Sequence, residues 1–334
     1  MRLSYTHESI RLTGRWDVSD PRYAETTNTG SYIEFAFSGR MAMAIFDIEG
    51  NNADPRLHLW IEVDGGARVE SAIDRYLRIM APSDGEHVCR IIFKSSTEVH
   101  RRWYAPLQNK VSFVGIEVEA PAPLPADERK TIEFVGDSIT EGVLIDVDFA
   151  GESLNCFPAD ALNRVYQDDV CATYAWLTAE ALGLRPIMMG YGAVGVLRIG
   201  QGQVPRAPEA YPYNFDGSPI SRPEPDFILI NHGANDRKRT AEEYVKAYGE
   251  LLDVVRALNP NAKIISLSAF CGAHHEELGA FIAKYNQAKG DDILFIDSNG
   301  WVAPEPLHPL RDGHKTIAAR LSAILADVVK QKAL

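Results

Sequence analysis

The chain has 334 residues, beyond the range in which one hydrophobic core keeps growing, so two domains are expected. Its 46% hydrophobic and 24% charged residues place it among globular proteins and exclude disordered, fibrous and membrane-spanning classes. A formal net charge of -12 excludes a nucleic-acid partner, because phosphate binding depends on clustered Lys and Arg.

The first residues lack an apolar signal segment, and no stretch is long and apolar enough to span a bilayer, so a cytoplasmic location without membrane partners is expected. Cys89, Cys156, Cys171 and Cys271 lie far apart without CxxC spacing. They read as buried thiols rather than a zinc site or a disulfide framework.

Up to about Glu119 the pattern is that of β-strands. Ile33, Phe35 and Phe37 alternate with small or polar residues, and Met41, Met43 and Ile45 do the same. Leu57, Leu59, Ile61 and Val63 run into Asp64-Gly65-Gly66, a hairpin signal, and 88–93 and 111–118 add further strands. Many short strands without helices imply a β-sandwich over 1–120. Pro121, Pro123 and Pro125 then mark a linker over 121–129.

From 130 to 334 strands alternate with helices. Strands are expected at 131–135, 185–189, 227–231, 263–268 and 293–297, and helices at 170–182, from Thr240 towards Leu258, and at 313–329. Thr240 with Glu243 forms a capping-box signature. The implied architecture is a three-layer α/β/α domain with a mostly parallel sheet. Ligands of such sheets bind beyond the carboxyl ends of the strands, which directs attention to four loops.

Gly136-Asp137-Ser138-Ile139-Thr140 follows the first strand and presents a hydroxyl at a strand-to-helix turn, as nucleophile or as N-cap. Asp137 reads as a structural carboxylate holding that turn. Gly190 to Gly195 is glycine-rich, and the Gly195 N–H could donate to an oxyanion. Asn235, after the strand 227–231, offers an amide for the same purpose or caps a turn. His308, between Leu307 and Pro309, is a loop histidine suited to a general base or merely solvated, whereas His314 is expected to pack at the start of the last helix.

Together and in this order, Gly-Asp-Ser, a glycine block, Gly-x-Asn-Asp and a late His-Pro resemble the SGNH hydrolase family over essentially everything from Lys130 onward. The resemblance implies a flavodoxin-like catalytic domain with Ser138 as nucleophile and His308 as base. It further implies an oxyanion hole made by the Ser138 and Gly195 N–H groups and the Asn235 amide. Members of the family carry Asp three residues before the catalytic His, where this chain has Glu305; either Glu305 or a backbone carbonyl would orient the imidazole. A β-rich domain ahead of an SGNH domain is similar to carbohydrate esterase family 2, which pairs a jelly-roll module with an SGNH domain and deacetylates sugars.

The aromatic residues Tyr211 and Tyr213, in a long loop between strands, and Trp301 are candidate sugar platforms. His274-His275-Glu276-Glu277 lacks a spaced third ligand and reads as a solvated helix start, so neither a metal nor a cofactor is expected. The reading is a serine esterase acting on acetylated carbohydrate, a small-molecule or oligosaccharide ester. The alternatives are a short-chain esterase or thioesterase on non-sugar substrates and an inactive carbohydrate-binding protein. Self-association into a homo-oligomer is left open.

Overall fold

The computed structural model describes residues 1–147 and 164–332. Nine antiparallel strands come first: β1 (Arg2–Ser4), β2 (Ile10–Thr13), β3 (Ala24–Thr26), β4 (Tyr32–Asp47), β5 (His58–Val63), β6 (Val69–Ala72), β7 (Tyr76–Met80), β8 (Glu86–Ser95) and β9 (Val111–Pro121). β4 is long enough to serve both layers of a sandwich. Its first half pairs with β2 and β8, its second half with β7 and β9, and the ladder with β9 shifts register between Ser38 and Ala42.

The alternation read from the sequence supplies the inner face. Ile33, Phe35 and Phe37 from one half of β4 meet Ala42, Ala44 and Phe46 from the other, with Leu59, Ile91, Phe93, Ile116 and Val118, in one buried cluster. Met41 and Met43, expected inside, are only partly buried because the shift moves Ala42 and Ala44 onto the core face. The Asp64-Gly65 turn does join β5 to β6, with Asp64 and Gly65 both at positive φ.

Residues 122–130 carry neither strand nor helix. The second part then contains β10 (Thr131–Gly136), α1 (Ser138–Glu141), α2 (Arg164–Gln167), α3 (Tyr174–Ala181), β11 (Arg185–Gly190), α4 (Ala207–Ala210), the small hairpin β12 (Tyr213–Phe215) and β13 (Ser218–Pro219), β14 (Phe227–Asn231), α5 (Ala241–Leu258), β15 (Lys263–Leu267), α6 (His275–Lys289), β16 (Leu294–Ile296) and α7 (Arg311–Gln331). Five strands form a parallel sheet in the order β11-β10-β14-β15-β16.

Period-two alternation sorts that sheet into three layers. Ile132 and Phe134 of β10 and Phe227 and Leu229 of β14 pack on the side of α3 and α7. Val135, Ile228 and Ile230 pack on the side of α5 and α6. Each such side chain contributes roughly 1.5–3 kcal/mol by leaving water, so a one-residue slip in β10 would be strongly opposed. At the start of α5, Thr240 accepts the Glu243 N–H while Glu243 accepts the Thr240 N–H, the reciprocal cap the spacing predicts.

The two parts share a polar seam. Glu133, the β10 residue on the α5 side, has no exposed side-chain surface and pairs with Arg15 from the first part at 3.0 Å. Cys89 and Cys171 are buried free thiols and Cys271 is partly buried; Cys156 lies outside the described residues. No helix among the described residues is long and apolar enough to cross a membrane.

Candidate active site

The site is built at the carboxyl ends of β10, β11 and β14. β10 ends in Gly136, and Asp137 caps α1 by accepting the Ile139 N–H at 3.0 Å, which sets Ser138 at the first helical position. Ser138 is 5% exposed, and its Oγ lies 2.8 Å from Nε2 of His308, in the loop before α7. A hydroxyl and an imidazole 170 residues apart are thus within proton-transfer distance. Burial pushes the His308 imidazole down to about 4, with Arg164 and Arg237 adding to the shift and Glu98 opposing it, so the ring is a neutral acceptor at pH 7.

Burial also raises the Asp137 carboxyl to about 7, with Asp236 and Glu141 adding to the effect and backbone hydrogen bonds resisting it. One Asp137 oxygen holds the Ile139 N–H, and the other takes the Asn235 amide at 3.3 Å. Asp137 therefore ties the nucleophile turn to the turn after β14.

Ser138, His308, Asn235 and Gly195 are brought to one edge, but the donors are unequal. Among the described residues the Ser138 N–H, at a helix start, donates to no protein acceptor. The Gly195 N–H donates to the Arg198 carbonyl at 2.9 Å, and the Asn235 amide nitrogen also serves the Val194 carbonyl at 3.0 Å. Gly195 is nevertheless required where it stands, since a β-carbon there would lie 2.4 Å from both carboxylate oxygens of Asp236. That carboxylate takes the N–H groups of Val196 and Leu197. Asp236 thus shapes the Gly195 loop, a role that the Gly-x-Asn-Asp pattern does not disclose.

Four expected residues stand elsewhere. Glu305 is exposed and makes no hydrogen bond or ion pair with His308; the three-residue spacing falls on an irregular loop rather than on a helix that would align the two side chains. Tyr211 has 0% exposure; its hydroxyl donates to Glu133 at 2.8 Å and accepts from Asn259 at 2.9 Å. It is a core residue, not a sugar platform, since the buried Glu133 carboxylate needs its O–H. Tyr213 is 39% exposed but sits beside Arg15 at the hairpin β12–β13, on the seam. Trp301 is half-buried against α7, with the Arg320 guanidinium 6.0 Å from its ring.

His314 is buried in α7, stacks on Tyr174 and accepts the Tyr174 N–H. His274 stacks on Tyr244, and His275 lies 3.2 Å from Asp297.

Sequence reasoning also missed what the first part contributes. Glu98, in the segment after β8, pairs with Arg164 at 3.1 Å, and a β-carbon on Gly192 would lie 2.0 Å from its Oε2. Arg102 pairs with the buried Glu141 of α1. Neither residue shows a motif, and only the docking of the two parts brings them beside the glycine loop.

A hydroxyl bonded to a neutral imidazole beyond the strand ends of a parallel α/β sheet defines the class as a serine hydrolase of the SGNH type. The sequence matches the model of the GDSL-like lipase/acylhydrolase family over residues 134–328, and the chain belongs to that family. It is accordingly a carboxylic ester hydrolase. The fold of the whole chain is similar to a family two carbohydrate esterase from Cellvibrio japonicus (TM-score 0.79, 20% identity, 99% of this chain and 98% of that one). It is likewise similar to an acetyl xylan esterase from Butyrivibrio proteoclasticus (0.78, 19%, 99% of each). A third is a family two carbohydrate esterase from Clostridium thermocellum in complex with cellohexaose (0.75, 22%, 96% and 99%). No curated protein matches the sequence significantly.

Proposed function

We propose that this protein is a serine esterase that removes short acyl groups, acetyl foremost, from carbohydrate through a covalent acyl-Ser138 intermediate. The observation that carries the reading is the 2.8 Å contact between Ser138 Oγ and His308 Nε2. As Oγ attacks the ester carbonyl, its proton passes to Nε2. Collapse of the tetrahedral intermediate returns that proton to the departing alcohol, and water, deprotonated by His308, then releases the acid and restores Ser138.

The oxyanion is held first by the Ser138 N–H. Asn235 joins by exchanging its long bond to Asp137 for the developing charge, and Gly195 by giving up the Arg198 carbonyl. With Glu305 exposed, Ser138 and His308 act as a dyad. Carbohydrate as substrate draws support from the two-part fold shared with carbohydrate esterases, one of which holds cellohexaose.

The test is acetate release from a panel of acetylated oligosaccharides by the wild type and Ser138→Ala, with fluorophosphonate labelling of both. Release and labelling by the wild type alone are expected. Release by Ser138→Ala at the wild-type rate would remove Ser138 from the reaction, and a folded wild type that does not label would favour a binding protein.

A further inference from the structure

One rim of the site is basic in an acidic molecule. The chain has 34 basic and 46 acidic residues, and many of its surface arginines meet a carboxylate: Arg11 with Glu34, Arg129 with Asp127, Arg206 with Glu250, Arg256 with Asp291, Arg311 with Asp146. Arg198 and Arg237 form no ion pair among the described residues. Both are exposed; Arg237 stands on the Asn235 turn, and Arg198 reaches that turn from the Gly195 loop. Nη1 of Arg198 lies 3.5 Å from Oδ1 of Asn235, and Nη1 of Arg237 donates to the Ala234 carbonyl at 2.7 Å.

Each guanidinium has five N–H donors and spends one of them there. Among the described residues the remaining donors bond no protein acceptor, and exposed Lys238 and Arg239 follow Arg237 directly. Arg164, also close to His308, is already neutralised by Glu98. Arg237 is near enough to help disfavour the imidazolium, a cost to the dyad that a negative charge on the substrate would offset.

Ser138 is nearly buried, whereas the two exposed arginines both touch the turn that carries Asn235, the side-chain oxyanion donor of the esterase reading. Resting on the esterase reading above, we propose that Arg198 and Arg237 form an anion-binding rim that selects esters whose alcohol portion carries a carboxylate or a phosphate. The substrate class is thereby an acetylated acidic sugar in preference to a neutral one.

The experiment compares kcat/KM for three monoacetylated hexosides sharing the acetylated hydroxyl: a neutral glucoside, the matching glucuronide and a hexose phosphate. An advantage of at least about tenfold is expected for one or both anionic substrates, the worth of a charge-assisted hydrogen bond. It should shrink when salt shortens the Debye length to about 8 Å or less. The glucuronide and phosphate arms tell the two anions apart. In Arg198→Gln/Arg237→Gln the ratio of anionic to neutral rates should fall towards one, and equal rates for all three substrates in the wild type would overturn the rim.

Calorimetric binding of deacetylated glucuronide, hexose phosphate and glucoside to Ser138→Ala supplies a readout that does not need turnover. Preference for an anion there, lost in the double arginine variant, sustains the rim even if no ester is cleaved. Equal binding of charged and neutral sugars by Ser138→Ala, with acetate release by the wild type, rejects the rim and leaves the esterase reading standing.

Discussion

Glu133 and Asp137 lie a few residues apart on the same strand and turn, both carboxylates are buried, and their fates are opposite. Burial raises the Glu133 carboxyl, but Arg15 and Arg222 overcome it and hold it at about 2. Four bonds reach that carboxylate, from Arg15 Nε, Tyr211 Oη and two nitrogens of Arg222. Among the described residues no cation pairs with Asp137, which is pushed up to about 7 beside a second acid, Asp236. Pairing turns a buried charge into a fixed joint between the two parts of the molecule, whereas the site around Asp137, which only N–H donors hold, leaves His308 neutral and the Ser138 N–H open to a substrate. One region is built to hold still and the other to react.

The sharpest way to break this contrast is Ser138→Ala, which should abolish turnover and fluorophosphonate labelling while leaving the unfolding midpoint unchanged. A lowered midpoint would show that the hydroxyl also holds the fold. Glu133→Ala should do the reverse. It strands Arg15 and Arg222 in the interior and should cost about 3–5 kcal/mol of stability, read by denaturant unfolding, with kcat of the folded enzyme retained. Loss of kcat without loss of stability would erase the division between the two regions.

Asn235→Ala should lower kcat by about 100–1,000-fold, the effect of removing one oxyanion donor. A change confined to KM would make Asn235 a binding residue. The pH dependence sharpens the comparison further. Because burial lowers the His308 imidazole to about 4, the base stays neutral well below pH 6.5, and the acid limb of kcat/KM should fall nearer 4 than 6.5.

Stability should fail over part of the same range. His232 and His314 are held neutral, at about 4 and about 3, by burial. Their contribution is complete above the unfolded value near 6.5 and is lost as pH falls from there through about 4 and then about 3. Kinetics and unfolding measured across this window separate the limbs, and an activity limb at or above 6.5 would mean that His308 is solvated. The smallest effect is expected from Glu305→Gln. An exposed carboxylate without a bond to His308 should be dispensable, so a strong drop in kcat with a displaced acid limb would restore a triad.

Much of this was legible without coordinates because it is local. Alternation in the first half of β4 and in β10 and β14, the Asp64-Gly65 turn, the Thr240 cap and the order of Gly-Asp-Ser, Asn-Asp and His-Pro depend on backbone geometry within a few residues, and the strand ends of a parallel sheet point to where ligands bind. Choices of partner were not legible. Tyr211 has the composition of a sugar platform and became a core residue because Glu133 required its hydroxyl. Glu305 has the spacing of a catalytic acid on a loop that carries it into solvent. The Gly195 N–H is occupied by a carbonyl contributed by its own turn, whose shape Asp236 sets. Glu98, Arg102, Arg198 and Arg237 carry no motif, and they reach the site because two sheets dock and loops cross there. A side chain's conformation is largely dictated by its neighbours in sequence, but which charge or donor it meets is decided by segments a hundred residues away, and only the tertiary structure makes that choice.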